Sequence, residues 1–145
     1  MIDEFDEQLA RELILDHSRH PRHQRAIEHP DASAEGQNPL CGDELRLDLQ
    51  IEDGKIADVS FSGQGCSISQ AATSMLTEVV VGKTVEEAAA LQREDVTDLI
   101  GIPLSPVRLK CALLGLGVLK VALHRHSGTP LPADWPGLDD GITWQ

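Results

Sequence analysis

Between Glu44 and Ile51 the chain alternates strictly: Leu45, Leu47, Leu49 and Ile51 are apolar, while Glu44, Arg46, Asp48 and Gln50 are polar. A period of two predicts a strand with one buried face. Asp53-Gly54 then supplies a tight-turn signal, and Ala57, Val59 and Phe61 alternate in a second strand, so the two form an antiparallel hairpin. A third strand is expected from 31–42, where the pattern is too weak to place it.

Elsewhere the period is helical. Phe5, Leu9 and Leu13 recur at i, i+4 and predict an amphipathic helix over 3–19, stopped by Pro21. Residues 20–40, with Pro21, Pro30, Gly36 and Pro39, read as a long surface connection. Ile68, Ala71, Ala72, Met75, Leu76 and Val79 predict a second helix, with Gly82 as its stop. Thr84 and Glu87 form a capping box that starts a short helix through about Leu91. Residues 95–106 read as a broken connector. Ser105 and Pro106 suit the start of a last helix running to about His126, apolar almost all round, in which Gly115 and Gly117 would admit a neighbouring backbone. The expected architecture is α+β: helices packed on a small antiparallel three-stranded sheet. Residues 1–126 form one domain on this reading, and 127–145, rich in Pro, Gly and Asp, form a flexible or loosely docked tail.

Composition narrows the function. Aromatic residues are 3% of the 145 and Tyr is absent, which leaves no stacking platform for single-stranded nucleic acid. A formal charge of -12 argues against nucleic acid and anionic membrane as partners. The acidic start, MIDEFDEQLA, carries no apolar signal region, and the longest apolar run, CALLGLGVLKVAL, is too short to span a bilayer, so a cytoplasmic protein is expected. Three widely spaced cysteines in a reducing compartment make a disulfide framework improbable.

Each cysteine stands at an element boundary. Cys41 precedes the first strand of the hairpin, Cys66 lies between a Gly-rich turn and the second helix, and Cys111 is in the first turns of the last helix. They are either three buried thiols or a site assembled by folding. Asp43 follows Cys41 at the two-residue spacing that shares a face in extended chain. Three thiolates and one carboxylate match the number and type of donors that tetrahedral zinc accepts. Arg108 and Lys110, flanking Cys111, would offset its negative charge. His17, His20 and His23 are expected to be solvated at a helix end, and Trp135 and Trp144 to be incidental residues of the tail.

NPLCGDELRL, GQGCSISQAATSMLTE and SPVRLKCALLG resemble, in order, the three cysteine motifs of the SufU/IscU (NifU N-terminal-domain-like) family of iron–sulfur cluster assembly proteins, and LILDHSRHPRH is similar to the family's amino-terminal stretch. The resemblance implies helices on a three-stranded antiparallel sheet, with the cysteines gathered at one exposed end. It implies metal ligation by Cys41, Asp43, Cys66 and Cys111, and a pyridoxal-phosphate cysteine desulfurase, SufS-like, as partner. Lys110 stands where IscU-type scaffolds carry a ligating histidine, and GCSIS is SufU-like, which favours the SufU branch. The segment between Cys66 and Cys111 is nevertheless of IscU length, and LSPVR is similar to an IscU chaperone-recognition motif. The function so implied is zinc-dependent sulfur transfer, with Cys41 as the catalytic thiol that accepts persulfide sulfur for downstream scaffold or acceptor proteins. The alternative is a scaffold that assembles and passes on a [2Fe–2S] cluster.

Overall fold

The computed structural model describes residues 4–38, 42–129 and 143–144. It is an α+β fold: an antiparallel sheet with helices packed on one face. Helix α1 (Glu4–Arg19) leads, by way of Pro21, into a segment that touches the edge of β3 (Lys55–Gln64) in a parallel bridge, where the Phe61 N–H donates to the His23 carbonyl at 2.9 Å. Strand β1 (Ala32–Asn38) then pairs with β2 (Asp43–Glu52), Ala34 opposite Leu47 and Asn38 opposite Asp43, and β2 pairs with β3. Asp53 and Gly54, with φ of 52° and 74°, make the hairpin turn between them. The sheet order is β3-β2-β1-β4, where β4 is only Thr143–Trp144, paired antiparallel with Gly36 and Gln37. Trp135 and the remainder of the tail beyond residue 129 lie outside the described residues.

The strand missing from the periodicity is thus β1, and it occupies part of the stretch read as a surface connection. Its buried positions are Ala32, Ala34, Gly36 and Asn38, which alternate correctly but carry little apolar signal.

Two helices fill the centre. Helix α2 (Ser67–Val80) and helix α5 (Pro106–Ser127) pack on each other, and α5 lies across β1 and β2. From Cys111 to Leu123 every residue of α5 is buried, Lys120 included. Ser105 caps α5 and Pro106 opens it, as the sequence predicts. Close packing at Gly115 is also present, but the neighbour is a side chain rather than backbone: a Cβ there would lie 2.6 Å from Thr73 Oγ1 of α2. Helix α3 (Val85–Ala89) has the full capping box between Thr84 and Glu87. The connector reading of 95–106 needs correction, since helix α4 (Arg93–Ile100) occupies its first half and ends at Gly101 in the left-handed conformation. Only Val96 and Ile100 of α4 are buried, too few to set a helical period in the sequence. Among the described side chains of α1 the buried residues are Ile14 and His17, while Leu9 and Leu13 of the predicted apolar stripe face solvent; the side chain of Phe5, its third member, lies outside the description. Among the described residues no helix is long and apolar enough to cross a membrane.

Candidate metal centre

Asp43 is the first residue of β2 and is 1% exposed, opposite the wholly buried Asn38 of β1. A carboxylate at that depth is costly without donors. Its Oδ1 accepts the Cys66 N–H at 2.8 Å, which ties the start of β2 to the start of α2. That contact depends on Gly65: a Cβ at residue 65 would lie 2.4 Å from Asp43 Oδ1. The Gly-rich turn before Cys66 therefore makes room for the aspartate.

Cys66 is the N-cap of α2, with extended backbone (φ −70°, ψ 166°). Its Sγ accepts from the Ser69 N–H at 3.5 Å and lies 3.9 Å from Asp43 Oδ2. A helix N-terminus is a favourable place for an anionic sulfur, because its amide groups point outward unpaired. Cys66 remains half-buried and reachable, whereas Cys111, on the second turn of α5, is buried. Neither is in a disulfide.

The fold brings the three together. Ligand atoms of Asp43, Cys66 and Cys111 all lie within 4.8 Å of one another, and among the described residues this is the one group of three or more such side chains able to hold a metal ion. Edges of a tetrahedron with zinc–thiolate bond lengths are roughly 3.8 Å, so the set needs little closing to embrace one metal atom. Two soft sulfurs and one hard oxygen suit zinc or iron alike. Cys41 lies outside the described residues; Gly42, between it and Asp43, has a left-handed backbone (φ 69°). Of the flanking cations, Arg108 is exposed in the first turn of α5 and Lys110 is half-buried.

The histidines behave differently from expectation. Of His17, His20 and His23, only His20 is exposed. His17 is 7% exposed, with Nδ1 2.7 Å from Ser74 Oγ and Nε2 3.5 Å from Glu78, and His23 Nδ1 lies 3.0 Å from Thr77 Oγ1. They dock α1 and the following segment onto the polar face of α2. Burial holds the His17 pKa below the ordinary histidine value, Arg22 lowers it further, and Glu78 and Asp16 oppose the shift. Periodicity could not reveal this, because the signal lies in the partners Ser74 and Thr77, far away in the chain.

A family profile described as the NifU-like N terminal domain matches residues 9–131. The chain is 35% identical to the iron-sulfur cluster assembly scaffold protein IscU of Streptococcus pyogenes serotype M1, an alignment covering 79% of this chain and 82% of that one. It is 30% identical to the zinc-dependent sulfurtransferase SufU of Bacillus subtilis (strain 168), covering 83% and 92%. A crystal structure from Fervidobacterium islandicum AW-1, described as that of an iron-sulfur cluster assembly scaffold protein for the SUF system, superposes with a TM-score of 0.68 at 33% identity, covering 77% of this chain and 94% of that one.

Proposed function

The chain belongs to the family of NifU-like N-terminal domains, and from that premise we propose that it serves iron–sulfur cluster assembly as a scaffold, with a nascent [2Fe–2S] cluster as its cargo. The observation that carries this reading is the convergence of Asp43, Cys66 and Cys111 from three separate elements. Relatives named as scaffolds, at 34–35% identity, support it. On this reading Cys66 and Cys111 are the fixed sulfur ligands. Asp43 is the exchangeable one, since a hard carboxylate holds iron less firmly than a thiolate does. Cys41 completes the set, and a cysteine desulfurase supplies the sulfur.

A second reading, zinc-dependent sulfur transfer, is favoured by Lys110. It stands where IscU-type scaffolds carry a ligating histidine, which leaves four donors, the number that tetrahedral zinc takes. Bound zinc would hold the thiols as thiolates and shield them from oxidation. Here Cys41 is the acting group. Its thiolate forms a bond to the outer sulfur of the desulfurase persulfide as the donor's S–S bond breaks, and the donor cysteine leaves as thiolate.

One pair of reactions separates the two. With cysteine, a desulfurase, ferrous iron and thiol reductant, a scaffold acquires the visible absorption of a [2Fe–2S] cluster and yields it to an apo-acceptor. With zinc-loaded protein and no iron, a transferase strongly stimulates desulfurase turnover and carries persulfide on Cys41 by mass spectrometry. The second result without the first overturns the scaffold assignment.

A further inference from the structure

The exposed leucines of α1 are not isolated. Leu9 and Leu13 are 45% and 53% exposed. Beside them a cleft of about 570 Å³ opens between α1 and the turn that follows α4, lined by Asp6, Ala10, Asp98, Gly101, Ile102 and Pro103 among others. Leu9 follows Asp6, and Leu13 follows Ala10, at the three-residue spacing that makes neighbours on a helix surface. The leucines therefore continue one wall of the cleft. Its floor is fixed, since Gly101 approaches Ala10 so closely that a Cβ there would lie 3.1 Å from the alanine methyl. The ionisable side chains that line it, Asp6 and Asp98, are both acidic.

We propose that this cleft and the leucines beside it form a docking site for a partner protein, through a segment that presents an apolar anchor flanked by lysine or arginine. Apolar surface seats the anchor, and the two carboxylates select the sign of its neighbours. Charge also argues against a second copy as occupant. Two chains of formal charge -12 would bring like-charged rims together. The site uses neither Cys66 nor Cys111 nor Asp43, so it stands apart from the metal centre and does not rest on the reading of that centre.

The test is a titration of isotope-labelled full-length protein with a synthetic amphipathic helical peptide, leucine on one face and lysine on the other, followed by amide shifts. A peptide with glutamate in place of lysine is the control. Shifts are expected at Ala10, Thr97, Asp98 and Gly101 with the lysine peptide alone. Replacing both leucines (Leu9→Ser with Leu13→Ser) weakens binding about tenfold through lost apolar contact. Neutralising the rim (Asp6→Asn with Asp98→Asn) weakens it about fivefold and reduces its salt dependence. All four positions are on helices near solvent, and circular dichroism checks that the variants fold. Cys66→Ser binds the peptide like the parent. Three results each overturn the proposal: no binding, shifts spread over other acidic surface and indifferent to these variants, or a dimer in sedimentation that the leucine variant disperses.

Discussion

At the scale of single residues the candidate centre is decided by two contacts that depend on each other. Asp43 is held by the Cys66 N–H, and it can be held only because residue 65 has no side chain. Gly65→Ala is therefore expected to keep the fold but displace the carboxylate, weakening cobalt(II) or zinc binding about tenfold, the loss of roughly one charge-assisted contact. Competition against a chromophoric chelator measures it, and unchanged affinity would mean that Asp43 is no ligand. Cys66→Ser is expected to abolish stoichiometric metal binding, because it removes the half-exposed sulfur at the centre of the group; elemental analysis of the purified variant decides. The sequence makes Cys66, Cys111 and Asp43 legible through residue type and the breakers around them. The reason for Gly65 is not legible, because it lies in a through-space approach of β2 to the turn after β3.

At the scale of elements, legibility followed apolar content. The hairpin, α2, α3 and α5 declare themselves by periodicity or caps. β1 alternates in burial but is built of Ala, Gly and Asn, and α4 buries only two apolar residues, so neither leaves a strong trace. On α1 the leucines misdirect, since the face toward α2 is anchored by a histidine. That anchor carries a pH dependence. The folded pKa of His17 lies below its unfolded value, so the unfolded chain takes up the proton first as pH falls. The contribution is fully present above about pH 6.5 and is lost on acidification toward the lower folded value. Urea midpoints measured from about pH 7.5 down to 5.5 should fall in the parent and fall less in His17→Gln. Equal slopes would remove His17 from the account. Just beyond the C-terminus of α2, Thr84→Ala breaks the α3 capping box and is expected to cost about 1 kcal/mol, read as a lower urea midpoint with metal binding intact.

For the whole molecule the governing quantity is charge. A formal -12 on 145 residues means that the compact state confines repelling carboxylates, which salt screens. The metal-free protein is accordingly expected to melt a few degrees higher at about 0.3 M salt than at 0.02 M. Calorimetry in the two buffers tests this, and a fall in Tm would show that its ion pairs outweigh the repulsion. The same excess of carboxylate gives the apolar cleft beside α1 its preference for a cationic neighbour.

The candidate ligands Asp43, Cys66 and Cys111 come from the first residue of a strand, the cap of one helix and the second turn of another. They meet only after the sheet has formed and both central helices have packed on it. A chain caught halfway through folding has the same thiols but no cage, so it can offer iron or zinc only loose, separate handholds. A metal held by these three residues would therefore make the arrangement an inspection step. It would be retained only by copies that have finished folding, and retention would in turn make those copies harder to unfold than their empty counterparts.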